Sequence, residues 1–265
     1  MKKLLTLVTL LLCGQQIFAA ISIEGTYQGK NLYVQNPEDE DGFGFCATKV
    51  TVNGDVMPGG TSIAAFEIDF SMFSIEIGEP VFIVIEHNDG CKPKILNAEV
   101  LLPKSTFKVT EMNISMTGKL VWKTTGESGK LPYIIEQYRW NKWVTVGEVD
   151  GKGSSGSNLY EYAVAPHSGE NQIRVSQIDH SGAKRSSQDV KFDPKMASVE
   201  KNPVKVKTAI NFTASGKPVE TRYEIFDAYG NIVKKGVGIS VDCSNLKQGA
   251  YYINFDNKME KFIRG

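Results

Sequence analysis

Histidine is scarce, one-signed charge is absent, and apolar runs long enough to span a bilayer are missing. Only His87, His167 and His180 occur in 265 residues, each in a turn-like or loop-like context. No His-Glu-x-x-His, phosphate loop or dinucleotide fingerprint accompanies them, so familiar hydrolytic and nucleotide chemistries have no anchor. Thirty basic side chains balance thirty acidic ones, which removes the electrostatic case for nucleic acid or an anionic membrane. Helical periodicity is absent almost throughout. Val, Ile, Thr, Tyr and Phe fill the apolar runs, and 10 prolines and 25 glycines punctuate them, a pattern that favours an all-β chain.

The N-terminus reads as an export signal over residues 1–20. Lys2-Lys3 is its basic start, Leu4 to Leu12 its apolar stretch, and Ala19-Ala20 the small residues at which cleavage is expected. The stretch is too short for a transmembrane helix. Cys13 follows Leu10-Leu11-Leu12 without a small residue before it, which disfavours lipidation. Three cysteines then remain, and an odd number cannot pair fully within one chain. Cys46 and Cys91 are the disulfide candidates in an oxidising compartment, two free buried thiols being the alternative. Cys243 reads as a buried small hydrophobe.

Residues 21–108 read as a first β-sandwich. Its strands are Thr26 to Val34 (single or bent), Gly44 to Val52, Phe66 to Phe70 and Pro80 to Glu86, with Asn53-Gly54 as a hairpin turn. Pro80 to Glu86 is apolar on both faces, as for a central strand. The acidic run Glu38-Asp-Glu-Asp41 invites calcium, and His87 with Cys91 invites zinc. Neither has the spacing of a metal site, and the expectation is no metal. Glu67 and Asp69 share a strand face, where carboxylates ordinarily meet solvent.

Residues 109–194 hold about seven more strands, with Trp122, Trp140 and Trp143 among them and Gly151 to Ser157 as a loop. Tyr138, Trp140, Trp143 and Tyr160 suit either the core or a sugar-stacking surface, with the core preferred. Pro194 to Glu200 reads as a linker. Residues 199–265 alternate again: Tyr223 to Asp227, a turn at Ala228 to Asn231, then Ile239 to Leu246, Ala250 to Ile253 and Lys261 to Arg264.

This last segment resembles the type IX secretion system C-terminal sorting domain of Bacteroidetes. That family reads Pro-Asn-Pro, a strand ending Asp-x-x-Gly, then Asp-x-Ser-x-Leu-x-x-Gly-x-Tyr and a short basic-apolar end. Asn202 and Pro203 match the first element, with Lys201 standing where the family usually has a proline. Asp227 with Gly230 matches the second. Asp242, Ser244, Leu246, Gly249 and Tyr251 match the third, and Lys261 to Arg264 the last. The resemblance implies that these residues are recognised by the type IX machinery and that the domain is removed at the surface. The order Trp122, Glu136 with Trp140, and Ile173 to Asp179 resembles the fibronectin type III-like modules that often precede such domains.

The expectation is therefore an all-β chain of tandem small Ig-like or fibronectin III-like sandwiches ending in a β sorting domain. It would be exported to the cell surface or medium and be non-enzymatic, with no catalytic residue and no cofactor. Its sandwiches would contact a surface glycan or an envelope protein. Two alternatives stand beside this: an envelope signalling protein that regulates or reports on the secretion system, and a secreted hydrolase with an unrecognised site.

Overall fold

The structure, a computed structural model, describes residues 19–40 and 42–265. The expected export segment therefore lies outside the described residues except for Ala19 and Ala20. The described chain is all-β, with two short 3-10 turns. It divides into two compact units, one ending at Leu102 and one running Pro103–Gly265.

The first unit contains β1 (Ala19–Thr26), β2 (Leu32–Gln35), β3 (Ala47–Val52), β4 (Asp55–Val56), β5 (Ala65–Ile68), β6 (Pro80–His87) and β7 (Lys94–Ile95). One sheet has the order β1-β6-β3-β4 and the other β5-β2-β7. They enclose Leu32, Val34, Val50, Val52, Ile68, Ile83 and Ile85. The stretch from Thr26 to Val34 is not one strand but the end of β1, a break and then β2. It leaves one sheet at Thr26 and enters the other at Leu32. β6 is central, but only Val81, Ile83, Ile85 and His87 are buried, and Phe82 on its other face is exposed. Asn53 and Gly54 both have positive φ, 52° and 93°, the backbone of a type I′ hairpin turn.

Cys46 and Cys91 are joined by a disulfide with Cα atoms 5.8 Å apart, so Cys91 offers no thiolate to a metal. Asp39, from the acidic run, accepts a hydrogen bond from the Asn88 side chain at 2.5 Å and ties that loop to the turn before Cys91. Glu67 accepts from Asn31, and Asp69 caps the following 3-10 turn through Ser71.

The second unit begins with β8 (Lys108–Ile114), β9 (Lys119–Thr125), β10 (Tyr133–Arg139), β11 (Lys142–Val149), β12 (Asn158–Ala163), β13 (Asn171–Ile178), β14 (Lys184–Ser186) and β15 (Val190–Phe192). The sheets β12-β9-β8 and β11-β10-β13, with β14 and β15 both on β13, enclose Phe107, Trp122, Tyr133, Tyr160, Ile173 and Val175. In the loop after β9 Glu127 is buried and accepts from the hydroxyls of Thr124, Tyr133 and Tyr160 and from the Gly153 amide. A buried carboxylate without a cation is tolerated when several donors satisfy it.

The same unit continues with β16 (Glu200–Asn202), β17 (Lys205–Val206), β18 (Ala209–Ala214), β19 (Lys217–Pro218), β20 (Thr221–Phe226), β21 (Ile232–Gly238), β22 (Ser240–Asp242), β23 (Gly249–Phe255) and β24 (Lys258–Arg264). A small sheet gathers β16, β19 and β22 on β18, facing a larger sheet of order β17-β24-β23-β20-β21. Val206, Ile210, Phe212, Ile225, Tyr251, Ile253, Phe255 and Phe262 form a separate core. The expected strand Ile239 to Leu246 is shorter, because Cys243 to Leu246 turn away. Cys243 is buried.

Candidate functional site

Four of the motif residues in 202–264, Asp227, Gly230, Asp242 and Ser244, shape turns. The Asp227 carboxylate accepts from the amides of Tyr229 and Asn231, both at 2.9 Å, and from the Asn231 side chain at 3.0 Å. Gly230 follows at φ 87°, where a Cβ would be strained. These hydrogen bonds, with the Asn231 side chain first, hold the Asp227 carboxyl below the usual range. Asp242 plays the same part at the end of β22, accepting from the Ser244 amide at 2.9 Å and its hydroxyl at 3.0 Å. Leu246, two residues on, packs against the core. Gly249 opens β23, and Tyr251 stacks on Phe262 while its hydroxyl donates to the Lys247 carbonyl at 2.9 Å.

Two motif elements distant in sequence meet here. The Arg264 guanidinium donates to the carbonyls of Cys243 at 3.0 Å and Ser244 at 3.3 Å, and so clasps the turn that Asp242 begins. The Ser244 amide and then its hydroxyl hold the Asp242 carboxyl below the usual range, with smaller help from Lys234 and Arg264. At the other end of the segment, Asn202 pairs with Asn211 and precedes a cis peptide bond to Pro203. Lys201, in the position of the family's proline, is buried and pairs with Glu260 on β24 at 3.3 Å.

Lys261 is different. It is exposed on the outer face of the larger sheet, opposite Tyr252, which in turn lies opposite Phe226. Met259 and Ile263 are exposed on the same face of β24. The turn-forming motif residues thus hold a sheet whose outer face exposes Tyr252, Met259 and Ile263 beside Lys261.

Sequence reasoning missed how the segment meets the sandwich before it. The Asp256 carboxylate, 1% exposed, accepts from the Ser168 amide at 2.8 Å, the Ser168 hydroxyl at 2.5 Å and the Val199 amide at 3.1 Å. Asn257 donates to the Ser168 carbonyl at 2.7 Å, and Lys142 on β11 pairs with Glu224 on β20 at 2.6 Å. Trp140 occupies the β10–β11 turn at φ 55° and sends its indole N–H to the Asp256 carbonyl at 3.1 Å. The one signal in the sequence was Trp140 beside Asn141 between two alternating runs, where a two-residue hairpin favours Asn or Gly.

The aromatic residues divide three ways. Tyr160 lies in the core, as preferred. Tyr138 and Trp143 do not: they are half-buried and packed edge to face, with Arg174 over Trp143 at 4.1 Å. Trp140 serves the junction. Glu136, under this face, pairs with Arg174 at 2.9 Å and Lys184 at 2.7 Å. Burial pushes its carboxyl upward, but hydrogen bonds from Arg174, Lys184 and Ser176 outweigh this and leave it below the usual range.

Residues 202–264 match the family described as the secretion system C-terminal sorting domain, and this segment is such a domain. No curated protein matches the chain. Among solved structures, the fibronectin(III)-like modules of Clostridium thermocellum CbhA share 11% identity, over 60% of this chain and 94% of theirs, at a TM-score of 0.22. A tetra-tandem repeat from the extending region of a large adhesion protein shares 13%, over 93% and 75%, at 0.31. The chicken CNTN1 FN1-FN3 domains share 11%, over 94% and 96%, at 0.23.

Proposed function

We propose that this chain is an exported, non-enzymatic surface protein, carried across the outer membrane by the type IX secretion system through residues 199–265, with its sandwiches acting as contact modules. The observation that carries the reading is the matched segment itself. It folds around its own core, its motif residues build two Asp-initiated turns, and Arg264 locks the second turn to the final strand. Asp227, Gly230, Asp242, Leu246, Gly249 and Tyr251 then act by shaping the domain, and Lys261 by meeting the machinery. The N-terminal export signal supplies the first membrane crossing.

Adhesion is the role that best suits the sandwiches, through a surface glycan or an envelope protein. The half-buried Tyr138 and Trp143 under Arg174 support this, because such rings present contact area already held in place. Support for a binding rather than a hydrolytic role comes from the buried carboxylates. Glu127, Glu136 and Asp256 are each saturated by structural donors.

The test is fractionation of periplasm, surface and medium in a producing cell and in one whose type IX machinery is inactivated. The protein is expected at the surface or in the medium in the first and in the periplasm in the second. Unchanged delivery without the machinery overturns the reading. Deleting β24 is a poorer test, since it removes Phe262 from the core. Lys261→Glu leaves the core intact and is expected to cause periplasmic retention of a folded protein.

A further inference from the structure

A cavity of about 460 Å³ opens where the β10–β11 sandwich meets the sorting domain, lined among others by Gln137, Arg139, Tyr162, Glu220, Thr221 and Arg222. This volume lies within the range of small-molecule sites, roughly 300–1,000 Å³. Arg139 is the anomaly. It is 5% exposed, yet its guanidinium forms no ion pair among the described residues. Its Nη2 donates to Gln137 Oε1 at 2.6 Å, and Nε has no hydrogen-bond partner. Buried guanidinium groups are normally matched by an acceptor, since an unpaired buried charge is expensive.

The nearby charges do not supply that match. Asp256 is committed to Ser168 and Val199, and Glu224 to Lys142. Arg222, contributed by β20, lines the same cavity with no ion pair of its own among the described residues and repels Arg139. Burial, and then Arg222, pull the Arg139 guanidinium down to about 10, which still leaves it charged at neutral pH. Two guanidinium groups from two sandwiches, one with a free buried N–H, therefore line one small cavity. Glu220, also on the wall, is exposed.

We infer that this cavity is a binding site for a small oxyanion, a carboxylate or phosphate group on a low-molecular-weight solute, held between Arg139 and Arg222. Planar guanidinium donors suit such oxygens, often two at a time. The Thr221 backbone and the Tyr162 ring would border the rest of the solute. Because one arginine comes from each sandwich, an occupant would tie the sorting domain to the module before it. The inference is independent of the export reading.

The test is an NMR titration of the arginine Nε–H resonances of the full chain with inorganic phosphate and, separately, with glucuronate. Ionic strength is held constant with sodium chloride. A saturable shift of Arg139 Nε–H with either probe is expected, and the probe that saturates first assigns phosphate or carboxylate. Arg222→Gln, at a half-buried position without an ion pair, should keep the fold and weaken the response at least tenfold. The inference is overturned if neither probe gives a saturable shift, or if Arg222→Gln responds as the natural protein does.

Discussion

The indole N–H of Trp140 donates to the backbone carbonyl of Asp256 across 116 positions of sequence, at 3.1 Å. Both residues lie in two-residue hairpin turns, and both have positive φ, 55° and 50°. A bulky residue in that region costs about 1–2 kcal/mol, comparable to the ~1 kcal/mol of one hydrogen bond. Trp140 is thus poorly chosen for its own hairpin and well chosen for the junction.

Trp140→Asn separates these roles. Asparagine suits the turn, so overall stability should change by less than ~1 kcal/mol. The junction should loosen. The measurement is hydrogen exchange at residues 168 and 256, with faster exchange expected in the variant. The exposed Lys195 to Ser198 segment gives a second readout. After cleavage there, the natural sorting domain should co-elute with the rest of the chain, and the variant's should separate.

Asp256→Ala removes three accepted hydrogen bonds from a buried position. The Ser168 and Val199 amides lose their acceptor, so a loss of about 3 kcal/mol is expected. Denaturant unfolding followed by tryptophan fluorescence would measure it. A loss below ~1 kcal/mol would mean that water replaces the carboxylate at no cost.

His167 gives the junction a pH dependence. Its Nδ1 lies 2.8 Å from the Ser168 carbonyl and its Nε2 3.4 Å from that of Tyr138, with Arg139 and Asp256 as the charged neighbours. Burial, and to a smaller extent Arg139, lower its pKa below the ordinary value. As pH falls below about 6.5, the unfolded chain takes up the proton before the folded ring does. Stability that is fully present above that pH is therefore lost down to the folded pKa, then levels off. His167→Gln should flatten this part of a stability profile measured between neutral and mildly acidic pH.

Replacing Cys46 and Cys91 with alanine should affect the first unit alone. The bridge spans 45 residues, for which chain entropy gives a loss of about 4 kcal/mol. A calorimetric scan should show the transition of the first unit moving down while that of residues 103–265 stays in place.

Features governed by a few adjacent residues were legible in the sequence. Asn53-Gly54 and the turn at Ala228 to Asn231 are local chemistry, and they fold as local chemistry predicts, whereas the Asp242-x-Ser244 turn was hidden inside an expected strand. Strand alternation located β10, β12, β13 and β23 for the same reason. The break at Tyr27 to Asn31 left a trace in Gln28-Gly29-Lys30-Asn31, which holds no apolar side chain and has Gly29 at φ 75°, but only the sheet partners decide where each strand stops. β6 looked apolar on both faces, yet Phe82 is exposed. The junction was illegible because its contacts join residues 140, 168, 199 and 256, which no window on the sequence brings together. Lys201 looked like a defect in the motif until β24 supplied Glu260.

The place of β24 imposes an order on assembly. It lies between β17, with which it runs parallel, and β23. A chain threaded from its N-terminus delivers both neighbours before the strand that joins them. Until residues 258–264 emerge, β17 lacks its partner, Phe262 is missing from the core, and the Asp242 turn lacks its arginine. The domain therefore cannot close early: its larger sheet lacks the strand that joins β17 to β23 until residues 258–264 are present. The Asp242 turn and the core around Phe262 are thus completed only by the last strand in sequence order.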